Sequence, residues 1–278
     1  MKLSIDTLTL HRRYGDEKTI QMMKEAGFDG VDYDYCFLDE GDEALSDDYA
    51  EYAHKVRKLL EESHMVCYQA HAPLSISYGS AFEESVEGYR RIVRSIEAAS
   101  ILGAEHIVVH ALKVPEGVDD FAYNLEYYKS FEPYCKKFGI HIAIENLGKY
   151  RVGRFNTPEI LYKMLDVLDS PWYTVCVDVG HAAVTGPEPE ELIEGLDHKT
   201  LRCLHIHDND YEHDNHALPY TGKLNWDNIT TALKKINYQE CFSLEIPTYL
   251  GKFDDEMMQE ALNFAAKIGR HLIDKIVR

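Results

Sequence analysis

Residues 139–146 read Gly139-Ile140-His141-Ile142-Ala143-Ile144-Glu145-Asn146. A glycine of the kind that follows helix ends precedes a short apolar run, and the run closes on a carboxylate. It has a strand's length and is too short for a helix. Upstream, residues 121–138 carry a helical apolar period, and downstream residues 158–168 carry another. The second is introduced by Thr157-Pro158-Glu159, an N-cap followed by proline at the first helical position. The local order is therefore helix, strand, loop, helix.

That unit recurs along the whole chain. Strand-like runs fall at 3–7, 30–35, 66–71, 106–110, 141–145, 174–178, 201–207 and 241–246. Amphipathic stretches occupy 16–26, 48–63, 82–102, 121–138, 158–168, 188–196, 226–236 and 254–274. Such alternation predicts a parallel sheet. Eight units in 278 residues, about 35 each, predict closure: α/β class, a single (β/α)8 barrel, with residues 1–278 as one domain. An open doubly wound sheet requires a glycine-rich phosphate loop after its first strand. Thr7-Leu8-Thr9-Leu10-His11 stands there instead.

Composition narrows the partners. With 29 Lys+Arg against 48 Asp+Glu the net charge is −19, which argues against nucleic acid, whose binders carry a basic footprint. No apolar run approaches the roughly 20 residues of a membrane span. Met1-Lys2-Leu3-Ser4-Ile5-Asp6 reads as a strand start and not as a signal peptide. A cytoplasmic protein with no membrane partner is expected, and a homo-oligomer is compatible with this composition. The six cysteines include no C-x-x-C pair and four lie in strand-like runs, so buried inert thiols are expected.

Histidines and carboxylates collect at the strand ends. His71, His110, Glu145, Asp178, His207 and Glu245 end successive runs, at steps of 39, 35, 33, 29 and 38 residues. Each step is one β/α unit, and C-terminal strand ends of a barrel converge. Converging imidazole and carboxylate form a ligand set for zinc, manganese, iron or cobalt. Buried carboxylates cluster only at high cost without a cation between them. His205 shares the parity of His207 and reads as a ligand, a partner of a ligand or a packed core histidine. Asp214-x-His216 in the next loop reads as two further ligands or as a polar turn.

These segments resemble the xylose isomerase-like barrel superfamily, which includes sugar and sugar-phosphate isomerases and epimerases together with endonuclease IV. The resemblance spans nearly the whole chain. It rests on His-Ala-Pro at 71–73, Val-Val-His at 108–110, Ile-Glu-Asn at 144–146, Asp-x-x-His at 178–181, His-x-x-Asp at 207–210, Asp-x-His at 214–216, Trp226, and Leu-Glu at 244–245. The branch similar to D-tagatose 3-epimerase implies one metal on Glu145, Asp178, His207 and Glu245, with the two glutamates moving the proton. His207 takes the ligand position because it carries the His-x-x-Asp pattern. The endonuclease IV branch implies two further zinc ions on His71, His110, His181, Asp214 and His216. The cofactor expectation is thus one to three divalent ions: zinc, manganese or cobalt. The DNA-contacting loops of that nuclease have no counterpart in Leu74-Ser75-Ile76-Ser77-Tyr78-Gly79.

The expected function is a metal-dependent isomerase or epimerase acting on a small sugar or sugar phosphate, by proton transfer through an enediolate. The alternative is an endonuclease IV-like multi-zinc phosphoester hydrolase. No sequence feature favours a non-catalytic metal-binding protein. Glu145 and Glu245 are the expected proton carriers, and His181 orients a substrate hydroxyl. Asn146, Lys149, Arg151 and Tyr249 are the expected substrate contacts. Lys149, Arg151 and Arg154 suit a phosphate or carboxylate, although a solvated basic loop is the more ordinary reading of such a run.

Overall fold

Short buried runs pair in parallel and meet end to end. The computed structural model describes residues 1–39, 41–74, 82–114, 117–148 and 155–278. Its strands are β1 (Lys2–Asp6), β2 (Gly30–Asp34), β3 (Val66–His71), β4 (His106–Val109), β5 (His141–Glu145), β6 (Tyr173–Asp178), β7 (Leu201–His205) and β8 (Cys241–Leu244). They form one sheet in the order β7-β6-β5-β4-β3-β2-β1-β8. Ile206 bridges Leu244 in parallel, with Ile206 N donating to Ser243 O at 2.9 Å and Glu245 N to Ile206 O at 3.0 Å. These bonds join β7 to β8 and close the (β/α)8 barrel that the sequence predicts.

The helices are α1 (Leu8–Ala26), α2 (Tyr49–Glu62), α3 (Phe82–Leu102), α4 (Asp120–Lys129), α5 (Glu132–Phe138), α6 (Pro158–Leu168), α7 (Val179–Thr185), α8 (Pro189–Glu194), α9 (Trp226–Lys235), α10 (Pro247–Leu250) and α11 (Met258–Val277). α7 and α10 stand where the sequence predicts no helix, and two predicted stretches are drawn differently. α1 starts at Leu8, not near residue 16, because Leu8 and Leu10 bury against the barrel; the helix breaks at Gly15 (φ 72, ψ 171). The 121–138 stretch is two helices, since Phe131 turns fully inward and Pro133 demands a helix start. Among the described residues, no helix is long and apolar enough to cross a membrane.

The strands are largely buried on both faces, as covered parallel strands must be, with Asp32, Gln69 and Ser243 hydrogen-bonded to one another inside. Val108, Ala143, Cys176 and Cys203 form a cluster separate from the main core, one residue from each of β4 to β7. Small side chains there leave room along the axis. Two residues on, by strand parity, come His110, Glu145, Asp178 and His205. The fold thus aims four ionisable groups at the C-terminal mouth.

Candidate metal centre

Every strand ends at, or one residue before, an ionisable side chain: Asp6, Asp34, His71, His110, Glu145, Asp178, His205 and Glu245. Ligand atoms of Glu145, Asp178, His205 and Glu245 lie within 4.8 Å of one another, all four residues buried. His71 Nε2 stands 3.0 Å from His110 Nε2 and 3.7 Å from Glu145 Oε2, and His110 pairs with the same oxygen. His181, Asp214 and His216 make another group, with Asp214 Oδ2 3.2 Å from His181 Nε2 and 3.3 Å from His216 Nε2. His207 Nε2 lies 3.0 Å from Asp178 Oδ1 and 3.6 Å from Asp214 Oδ1, and groups with His216 and Glu245. All nine residues proposed as ligands therefore stand in one continuous cluster. The compact four-residue group contains His205 where the resemblance implied His207.

Local bonds aim these side chains. His71 Nδ1 faces Ala72 O at 2.9 Å, which turns Nε2 toward His110. His181 Nδ1 faces Asn146 O at 3.0 Å, while its backbone N–H donates to Asp178 Oδ1 at 2.7 Å and caps α7. The Asn146 amide accepts from Asp178 N at 2.8 Å and donates to Asp178 O at 2.9 Å, so its side chain bolts β5 to β6. A Cβ on Gly180 would sit 1.9 Å from His207 Cε1, so only glycine lets that ring approach.

The loop after β7 is held by Asp208. Its carboxylate accepts from Asn209 N (2.9 Å), Leu224 N (3.1 Å), Tyr220 N (2.9 Å) and Trp226 Nε1 (2.9 Å). Tyr211, His216 and Tyr220 take positive φ in this loop. Such positions cost about 1 kcal/mol or more each and persist where surroundings enforce them.

Charge dominates the ring. Burial favours neutral groups, yet His110 and His205 hold Glu145 well below the usual carboxylate range. Asp178, also opposed by burial, is drawn down to about 2 by His181 and His207. Burial would push His181 down; Asp178, Asp214 and Glu145 lift it to about 10. His216 is likewise raised against burial to about 9 by Glu245 and Asp214. His110 goes the other way, to about 4, because burial outweighs Glu145. On the β1–β2 side, burial and then Asp34 and Glu245 hold Asp6 well above its ordinary value.

A divalent cation fits this donor set. Glu245 Oε2, His205 Nε2 and His207 Nδ1 are buried with no hydrogen-bond partner. Unsatisfied buried groups cost about 1–3 kcal/mol each, which a metal bond removes. The nitrogen and oxygen donors suit zinc, manganese or cobalt. Asp214 is exposed and His216 half-buried, so the cluster reaches solvent on this edge.

Lys149, Arg151 and Arg154 lie outside the described residues, as do Tyr78 and the rest of the 75–81 loop. Tyr249 packs edge-on against Phe253, ring centres 5.0 Å apart. Sequence reasoning missed Asp6, Asp34 and Cys36, although the strand-end rule applies equally to β1 and β2. It also missed a cleft of about 540 Å3 lined by Leu8, Thr9, Arg12, Arg13, Pro247 and Thr248.

Comparison with known proteins agrees with this architecture. The chain is similar to the uncharacterized protein y4fM of Sinorhizobium fredii, 24% identical over 273 residues covering 85% of this chain and 84% of that one. Its fold is similar to a D-tagatose 3-epimerase-like protein (TM-score 0.79, 23% identity, 100% of this chain and 98% of the other). It is also similar to a D-psicose 3-epimerase determined in the presence of D-fructose (TM-score 0.78, 17% identity, 98% and 99%). Residues 20–268 match the family model described as xylose isomerase-like TIM barrel, and the chain belongs to that family.

Proposed function

We propose that residues 1–278 act as one domain, a metal-dependent isomerase or epimerase for a small sugar or sugar phosphate. The observation that carries this reading is the pair Glu145 and Glu245. They reach one centre from the C-terminal ends of β5 and β8, both buried; Glu145 is met there only by imidazoles, and Glu245 Oε2 accepts no hydrogen bond. Glu145, Asp178 and Glu245 would hold the ion with His205 or His207. When bound, the ion supplies positive charge that stabilises an enediolate. One glutamate removes the proton beside the substrate carbonyl, and the other returns it on the opposite face or the adjacent carbon. His181, fixed by Asn146 O, orients a substrate hydroxyl. Burial of the glutamates keeps water from the exchanging proton. Solved structures of similar fold include a D-tagatose 3-epimerase-like protein and a D-psicose 3-epimerase, which supports the substrate class.

A second reading, a multi-zinc phosphoester hydrolase, is favoured by the additional ligand groups His71–His110–Glu145 and His181–Asp214–His216. The net charge of −19 opposes duplex DNA as its substrate. The test compares epimerisation of free and phosphorylated keto- and aldo-sugars with cleavage of abasic-site DNA, under zinc, manganese and cobalt. Sugar turnover without incision is expected. Robust incision with no sugar turnover overturns the first reading and promotes the second.

A further inference from the structure

The ring of strand-end ligands continues past the residues that the family resemblance implies. β2 ends in Asp34, and Cys36 follows two residues on, with the same parity. Ligand atoms of Asp34, Cys36 and His71 all lie within 4.8 Å of one another, and all three residues are buried. Backbone bonds fix this edge. Tyr35 N donates to His71 O at 2.9 Å, Leu74 N to Cys36 O at 3.2 Å, and Cys36 N to Asp34 Oδ1 at 2.5 Å. His71 Nδ1 faces Ala72 O at 2.9 Å, which fixes the ring beside Asp34 and Cys36. The edge adjoins the four-residue centre, since His71 Nε2 lies 3.7 Å from Glu145 Oε2. Among the described residues, Cys36 is the one cysteine that joins such a group.

We propose that Asp34, Cys36 and His71 bind a thiophilic divalent cation of the zinc class at the β2–β3 edge of the ring, with Cys36 as thiolate. Thiolate selects zinc over the harder ions that oxygen-rich centres accept. The thiol proton leaves to solvent as the metal binds. The inference goes beyond the epimerase reading, and its readouts need no substrate.

The test titrates the full chain with cobalt and follows the thiolate-to-cobalt charge-transfer absorption in the near ultraviolet. The wild-type protein is expected to develop this band. Cys36→Ser should lose the band and bind about one ion fewer per chain. Cys176→Ser, a buried strand cysteine, should keep both. No band in the wild type, or an unchanged band and stoichiometry in Cys36→Ser, overturns the proposal. If Cys36→Ser fails to fold, X-ray absorption of the zinc-loaded wild type decides. Sulfur at about 2.3 Å from zinc supports the site, and a shell of nitrogen and oxygen alone overturns it.

Discussion

The two ends of this barrel use histidine for opposite purposes. At the N-terminal end His106 and His141 open β4 and β5 and stack at 5.2 Å, with Trp172 5.1 Å from His141. Burial, then His141 and Arg202, push His106 down to about 3. Among the described residues no ion pair joins it to a carboxylate, and it stays neutral as packing. At the C-terminal end, carboxylates overcome the same burial and lift His181 to about 10 and His216 to about 9. The residue type and the depth are alike; the neighbouring charge decides the role.

The largest expected effect tests that contrast directly. Glu145→Ala removes the carboxylate shared by His71, His110 and His205. It should weaken metal binding by more than about 100-fold, beyond the loss seen when a ligand's partner is removed, and abolish turnover. His106→Ala, at the other end, should lower stability and leave metal binding unchanged, since distant sites act independently. Equilibrium dialysis against zinc measures both. Full metal binding by Glu145→Ala, or its loss in His106→Ala, would break the contrast.

Much of this contrast was legible in the sequence. The strand ends at His71 and Glu145 coincide with the predicted runs, because buried parallel strands are short, apolar and bounded. The convergence of six strand-end residues followed from their spacing. What did not follow is set by tertiary contact. Asp6 and Asp34 obey the same positional rule but lie in runs whose other acids, such as Asp32, blur it. Cys36 was read as inert, since nothing local brings His71 beside it. His205 and His207 share parity, so spacing cannot decide which one faces Glu145; the His205 ring does, at 2.7 Å. Trp226 was noticed as a motif residue, whereas its bond to Asp208 depends on an 18-residue loop closing.

A third histidine sharpens what makes a site. His11 lies on α1 between Asp16 (Nδ1–Oδ1 2.8 Å) and Asp42 (Nε2–Oδ2 3.1 Å). Tyr33 and Tyr52 donate to Asp16. Burial opposes the charge, yet hydrogen bonds to Asp16 and Asp42 raise His11 to about 10. It is charged like the ring histidines, but both its nitrogens are partnered, so it clamps helix to barrel and offers nothing to a ligand. Its folded value lies above the unfolded value of about 6.5. The stability it contributes is therefore fully present below about pH 6.5 and lost as pH rises through about 10. Removing one partner of a buried pair costs about 3 kcal/mol, so His11→Ala should lower the thermal midpoint at neutral pH. The variant should also flatten the decline between about pH 7 and 10. Identical pH profiles for variant and wild type would remove the clamp from the account, and metal binding should not change in either case.

The smallest expected effect concerns Asp208, a third kind of buried carboxylate. Glu145 is met only by imidazoles and Glu245 keeps an oxygen without a partner, whereas both oxygens of Asp208 are filled by four N–H donors. By the same reasoning Asp208 belongs to the scaffold and holds the loop that carries Asp214 and His216. The antiparallel pair Asp208–Ala217 starts that loop, and Asn209 Nδ2 ties it to Gly180 O at 2.8 Å. Asp208→Asn replaces one acceptor by an NH2 group, which must face two N–H donors and satisfy neither. Charge-assisted bonds are lost with it. Tyr220 and Leu224 amides should then exchange faster with solvent. Affinity for the ion on His181, Asp214 and His216 should fall about 10-fold, the lower range for disturbed ligand support. Binding through Glu145, Asp178 and Glu245 should persist, because those ligands come from strand ends and not from the loop. Hydrogen exchange and metal stoichiometry on one sample separate the outcomes. Unaltered exchange at Tyr220 and Leu224 would show that the loop is held by something else. Loss of every bound ion would show that loop and strand-end ligands form one indivisible centre.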